Sequence, residues 1–352
     1  MREIFESTIS RLLSDTVTPE LLRACEGGSW PTELWAALED SGFAVAAAPE
    51  ALGGAGASWA DLFVVVQACG RHNLPLPLPE TLLANALLGQ CGLQAINAPL
   101  GLAAGGDLSL YNGRITGTVR DLPWGRHVNQ VVAVVAGTEP LLVLLERTSA
   151  RCEPRLNTAG EPRDDLHFEG VVPMATAALP AGMPAQVLQF GGAMLRSAQI
   201  AGALQCVLEL TSRYATERVQ FGKPIGSFQA IQHQIAVLSE HSGAATVAAE
   251  CAFAESLDGA GGFAALPIAA AKVCSAEACG LAASIAHTVH GAIGFTHEHA
   301  LHLSTRRLWS WRSEFGNATQ WSQRLGRAVC AGGAAALWPA LTAGHLDLSA
   351  HV

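Results

Sequence analysis

Three runs of apolar residues at helical spacing dominate the C-terminal half of the chain: Val187 to about Arg218, Gln229 to about Leu257 and Ala264 to Val289. Each is longer than the roughly three turns of an average globular helix, and only short connections separate them. Long consecutive helices on short connections pack antiparallel, which commits this half to a bundle. A further run from about Ala318 to Leu337 supplies a fourth helix. Helices this apolar bury more than one face, which predicts association with another subunit.

Two stretches of different grammar come first. Glu33 to Gly42 has apolar positions at helical spacing and a glycine stop, and Trp59 to about Gly70 is a further apolar helix. Pro75, Pro77 and Pro79 then break the chain before another short helix. Between about 100 and 175 the period changes to strands, in Gln130–Val135, Leu141–Leu145 and Leu166–Pro173. The expected fold is mostly α with a small central β domain. It comprises an N-terminal helical domain over 1–98, a middle β domain over 99–178 and a C-terminal four-helix bundle over 179–352.

Composition narrows the class. Half of the 352 residues are apolar and 14% are charged, enough for a large core and too little charge for a disordered chain. A net charge of −9 argues against a nucleic-acid surface. The longest apolar runs, such as Phe263–Ala271, fall short of the roughly 18–20 residues of a membrane span. The start, MREIFESTISRLL, reads as a surface helix and lacks a signal-peptide core. Nine scattered cysteines without a CxxC read as buried thiols in a reducing compartment, so the expected location is the cytoplasm. No dinucleotide-fold glycine motif, P-loop or nucleophile elbow occurs. His287, His290, His297, His299 and His302 lie close in sequence, but HExxH is missing and no Cys or Asp completes a ligand set, so no metal is expected.

Chemistry concentrates in two segments. The first, Arg213–His233 (RYATERVQFGKPIGSFQAIQH), joins the first two long helices. Arg218 stands at a helix end, where a planar guanidinium takes a phosphate bidentately. Phe221-Gly222 turns the chain, Lys223 adds charge and Pro224-Ile225 stops the helix. Ser227 is placed to cap the next helix, whose first amides face an anion beside Gln229. The second segment is Val289–Thr296 (VHGAIGFT). Together they resemble the C-terminal signatures of the flavin-dependent acyl-CoA dehydrogenases. Leu38–Gly42 (LEDSG) and Pro49–Gly54 (PEALGG) resemble that family's first domain, and Leu166–Pro173 the strand closing its β domain. The resemblance spans most of the chain and the domain order agrees.

The resemblance implies a dimer or tetramer, with a paralogous chain as one arrangement. In it, one subunit's hinge reaches the adenine–pyrophosphate half of FAD held mainly by its neighbour. Arg218, Gln220, Phe221 and Gln229 would make those contacts, and Thr288, Val289, His290, Gly291 and Ala292 would approach the same cofactor. Thr288 stands where the family commonly has glutamine, and Ala292 where it commonly has a second glycine. The implied reaction is α,β-dehydrogenation of an acyl-CoA. A carboxylate takes the α-proton, hydride leaves for flavin N5, and electrons pass to an electron-transfer flavoprotein or similar acceptor.

The base is where this chain departs. In Arg312–Gln320 (RSEFGNATQ), anchoring on Gly316 puts Phe315 at the family's base position, and a shift of one residue puts Glu314 there. One residue is about 100° of helical rotation, so only one of the two faces the pocket. Glu314 is the candidate base, and Asn317 either a further FAD contact or a helix cap. The alternative family position for the base falls near Leu195, which has no acid–base chemistry. Arg196 beside it matches an arginine near the acyl-CoA site and is the candidate substrate-binding residue, or else an ion pair at the core edge. The family's loop over the flavin has no counterpart around Gly101–Asp107, and Asp121–Gly125 (DLPWG) replaces its tryptophan–isoleucine–threonine stretch, leaving Trp124 as a candidate ring cover. Three readings stand open: a working dehydrogenase, a partner subunit completing the FAD site of a paralogous chain that often acts on bulky substrates such as steroid side chains, and other flavin chemistry of nitroalkane oxidase or N-hydroxylase type.

Overall fold

The computed structural model describes residues 1–137, 139–256, 263–344, 346 and 348. Helices α1 (Arg2–Thr16), α2 (Pro19–Glu26), α3 (Thr32–Asp40), α4 (Trp59–Arg71) and α5 (Leu78–Gln90) come first. Thr18 and Ser58 start α2 and α4 by accepting the backbone N–H of Leu21 and Asp61. Helix α5 is buried on every face from Leu78 to Gly89, so its polar residues need internal partners. Asn85 has them: its amide donates to the carbonyls of Ala44 and Ile96 and its oxygen accepts the Ile96 N–H.

The strands are β1 (Leu100–Ala103), β2 (Ser109–Tyr111), β3 (Arg114–Pro123), β4 (Gln130–Val135), β5 (Leu141–Glu146), β6 (Arg151–Glu153), β7 (Arg163–Val171) and β8 (Ala175–Ala178). They form two four-stranded sheets, ordered β1-β4-β5-β8 and β2-β3-β7-β6, with only β1 and β4 parallel. Val131, Ala133 and Val135 of β4 meet Ile115, Val119, Leu166 and Phe168 of the facing sheet. Val132 points the other way, into the core shared with α5. Both faces of β4 are therefore covered, which is why its sequence is a continuous apolar run rather than an alternation.

The remaining elements are α6 (Val187–Glu217), a short hairpin of β9 (Val219–Gln220) and β10 (Lys223–Pro224), then α7 (Gln229–Glu255), α8 (Ala265–His290), α9 (Leu301–Trp311), α10 (Ala318–Gly332) and α11 (Ala334–Ala343). The first three long helices lie where the periodicity predicts, although the expected end at Leu257 falls outside the described residues. The fourth is two helices, broken where Gly333 takes a left-handed φ of 74°. Helix α9 is an addition to the expected bundle and packs against α6 and α8. Contrary to the run-length reading, Ala265–Phe295 is long and apolar enough to cross a membrane; here it packs against α6, α7, α9 and α10. Helices α4 and α6 cross with backbones in contact: a Cβ on Gly70 would lie 1.9 Å from the Gln199 carbonyl oxygen, and one on Gly202 2.0 Å from that of Gln67. This crossing fixes α4 on the bundle.

Candidate functional site

A cleft of about 690 Å³ opens between the β sheets and the end of α9. Its walls include Gly105–Gly106, Arg120, Asp121, Trp309, Glu314 and Phe315. The turn after α9 shapes the inner wall. Phe315 (φ 55°) and Gly316 (φ 98°) are consecutive left-handed residues that reverse the chain. The reversal lays the Phe315 ring over Gly192 of α6, where a Cβ would come within 2.2 Å of the ring. The guanidinium of Arg196 sits 5.3 Å from the centre of that ring.

Glu314 faces a buried network. Its two carboxylate oxygens accept from Arg163 Nε at 2.8 Å, Arg163 Nη2 at 3.1 Å and Arg196 Nε at 2.7 Å. Arg196 Nη2 also donates to Glu80 at 2.6 Å, and its Nη1 donates to Gln199. Arg163 and Arg307 both reach Glu161, at 2.9 and 3.0 Å, and the Trp311 indole N–H joins them at 2.9 Å. Three arginines thus balance three glutamates, drawn from α5, the β region, α6, α9 and the turn after it. Burial alone would raise the pKa of Glu314, but the two guanidinium groups outweigh it and hold the carboxyl at about 2. Lys272 of α8, fully buried, donates to the carbonyls of Trp311 and Arg312 at 3.0 Å and anchors the same turn. Burial brings its pKa down to about 7.

Several of the expected site residues are engaged inside the chain. Glu314, 17% exposed at its side chain, is held as an anion between two arginines, whereas a base for a carbon acid needs a raised pKa and free lone pairs. Arg196 is 1% exposed, and its donors are engaged by Glu80, Glu314 and Gln199, so it is an internal counter-ion rather than a group reaching substrate. The other carboxylate on the cleft wall, Asp121, pairs with Arg155 at 3.4 Å. Trp124 packs inside the β core, edge-on to Trp30, and is not among the residues that line the 690 Å³ cleft. Asn317 caps α10 in a capping box with Gln320.

The hinge lies at the end of the bundle where α6 and α8 finish. Phe221 (φ 50°) and Gly222 (φ 79°) form the two-residue turn of the β9–β10 hairpin, where both positions need positive φ. The hairpin holds Phe221 91% exposed. Arg218, Gln220 and Gln229 are exposed beside it, and Arg218 has no ion pair among the described residues. Phe228, not Ser227, occupies the cap position of α7; the Ser227 hydroxyl donates instead to the Pro224 carbonyl, leaving the first amides of α7 uncapped by a side chain. Tyr214, in the last turn of α6, stacks on His290 of α8 at 4.5 Å and so ties the two signature segments together. Thr288, Gly291 and Ala292 are exposed there, while Val289 and His290 are buried. An unpaired guanidinium, an exposed aromatic ring and open helix amides fit a dinucleotide's diphosphate approaching from outside the chain.

The chain matches two family models, "Acyl-CoA dehydrogenase, N-terminal domain" over residues 2–96 and "Acyl-CoA dehydrogenase, C-terminal domain" over residues 185–318. It is 31% identical over 314 residues to the acyl-CoA dehydrogenase IpdE2 of Mycobacterium tuberculosis, covering 87% of this chain and 90% of the relative. Among solved structures, the ChsE4-ChsE5 complex from Mycobacterium tuberculosis superposes with a TM-score of 0.80 at 25% identity, covering 93% of this chain and 96% of that one. PigA with FAD and proline shares the fold, with a TM-score of 0.79 at 17% identity over 93% of this chain and 96% of that one.

Proposed function

This chain belongs to the acyl-CoA dehydrogenase family, and from that premise we propose that it is the FAD-completing subunit of a hetero-oligomeric acyl-CoA dehydrogenase whose proton-abstracting carboxylate sits on a paralogous chain. The observation that carries the reading is the turn after α9. At the residue before Gly316 the cleft wall bears the Phe315 ring, and both carboxylates on the wall, Glu314 and Asp121, are ion-paired. The ChsE4-ChsE5 relative, a complex of two chains, supports assembly with a paralogue.

In that assembly bound FAD would supply the hydride acceptor, with an electron-transfer flavoprotein or similar acceptor as the onward electron sink. The contribution of this chain is binding and positioning. Arg218 takes the diphosphate, the Phe221 ring covers the dinucleotide, and Gln220, Gln229 and the first amides of α7 complete the donor set. Thr288, Gly291 and Ala292 approach from the end of α8. The buried network holds the cleft in one shape without offering a base.

Purification alone and co-expressed with a paralogous chain tests the reading. The expected result is a single chain with little flavin absorbance and a co-purified complex that is yellow and reduces a dye with an acyl-CoA. A yellow homo-oligomer that turns over acyl-CoA unaided, and loses turnover on Glu314→Gln, would overturn it.

A further inference from the structure

The turn between α8 and α9 (Gly291–Ala300) is ringed by imidazoles whose burial and hydrogen bonds leave no place for a second proton. His299 Nδ1 accepts the N–H of Leu301, the first residue of α9, at 3.1 Å, so that nitrogen carries no proton. His290 Nδ1 lies 2.8 Å from the Ala286 carbonyl and His302 Nδ1 2.8 Å from the His299 carbonyl, so both nitrogens are N–H donors. Their Nε2 atoms are buried without a partner among the described residues, and a second proton there would have no acceptor. The rings of His290 and His299 are 4.7 Å apart, close enough for two imidazolium ions to repel strongly.

The surroundings carry several cations and one facing carboxylate. Arg213 of α6 faces His299 and Arg306 of α9 faces His302. Arg23 of α2 donates to the His297 carbonyl at 3.1 Å. His287 of α8 bonds Thr305 at 2.9 Å, and His297 packs edge-on to His302. The carboxylate facing the cluster, Glu26 of α2, is engaged by Arg306 at 2.8 Å and Arg307 at 3.8 Å. Glu298, the turn's own carboxylate, is exposed and makes no ion pair among the described residues. Burial is the main cause that shifts His290, His299 and His302 downward; the neighbouring imidazoles and, at His299 and His302, Arg213 and Arg306 add to it, while the Nδ1–H bonds of His290 and His302 and the Glu26 carboxylate at His302 oppose it.

We propose that His290, His299 and His302 form an acid-sensitive latch, which when neutral holds the α8–α9 turn closed against Tyr214 of α6 and on taking up protons releases it. The three rings pack around one turn, so one charged ring disfavours the closed state for all three. The latch is a property of this chain; its consequence for flavin retention rests on the proposed placement of that turn at the partner's FAD.

Hydrogen exchange of the full chain across residues 288–303, corrected for the intrinsic pH dependence of exchange, reads the latch directly. An opening that takes up two protons grows about a hundredfold per pH unit below the transition. Exchange should therefore be at least roughly tenfold faster at pH 5.5 than at pH 7.5. The triple variant His290→Asn, His299→Asn and His302→Asn keeps a donor or acceptor near each Nδ1 position and cannot be charged; its exchange should be flat over that range. Unchanged wild-type exchange, or equal acceleration in the triple variant, overturns the latch. Should the variant not fold, the imidazole Hε1 shifts of the wild type decide: a joint, steep titration in step with amide opening supports it, and independent one-proton curves with protected amides refute it. If the turn opens on acidification while a co-purified complex keeps its flavin, the latch stands and the placement of the turn at the cofactor falls.

Discussion

Replacing Glu314 with glutamine separates a structural carboxylate from a catalytic one. The substitution keeps one acceptor oxygen but turns an N–H donor toward guanidinium groups that now meet 2.7–3.1 Å from a like dipole. Breaking a buried ion pair from one side costs about 3–5 kcal/mol. The lower end applies, because Arg196 retains Glu80 and Arg163 retains Glu161. For 352 residues the unfolding entropy is about 0.7 kcal/mol/K, so about 3 kcal/mol lowers Tm by about 4 °C. The pH dependence follows from the carboxyl being held at about 2 against an ordinary 4.5. Its stabilisation is complete above pH 4.5 and is lost as pH falls toward 2. Thermal unfolding of both proteins should thus show a constant gap between pH 5 and 8 that closes in acid. An unchanged Tm together with abolished flavin reduction would refute this and return Glu314 to the role of base.

Three other substitutions probe separate parts of the structure. Gly192→Ala drives a methyl to within 2.2 Å of the Phe315 ring and should cost about 1–3 kcal/mol in urea unfolding, with most of that loss relieved by adding Phe315→Ala; additive losses would show that ring and helix are not in contact. Arg218→Ala should leave the Tm of the chain unchanged, since that side chain has no internal ion pair, yet weaken flavin retention by a co-purified complex about 10–100-fold, read by flavin released on dilution. Lys272→Met removes a group that burial brings down to about 7 from 10.5. Between those values the folded chain binds fewer protons than the unfolded one, so wild-type stability relative to the variant should rise about 1.4 kcal/mol per unit from pH 7 to 8.5; a flat difference would mean the ammonium persists.

The bundle helices were legible because their apolar period is strong and propensity does not oppose it. Strand β4 could be read from its apolar run, and the hinge from residue types whose chemistry and turn geometry coincide. Helix α9 was not read, although Leu301, Ser304, Leu308 and Trp311 keep the helical period, because its inward face also buries His302, Thr305 and Arg307 and looks polar. The fate of Glu314 was hidden for a related reason. Its partners Arg163 and Arg196 lie 151 and 118 residues away, and no local pattern announces a pairing that distant. Adjacent positions 314 and 315 exchange roles through the backbone reversal at Phe315, which one sequence specifies only weakly when the left-handed residue is not glycine.

The balance of three guanidinium groups against three carboxylates has an evolutionary consequence. Installing a proton acceptor at position 315 would add a fourth anion beside a neutralised core, and removing Glu314 to make room would leave three guanidinium groups to two carboxylates. Placing a base at position 315 therefore needs coordinated replacements in segments far apart in the gene, each harmful by itself. On the proposed reading, dependence on a companion chain would in that sense be a ratchet, held by charge parity rather than by the loss of any single group.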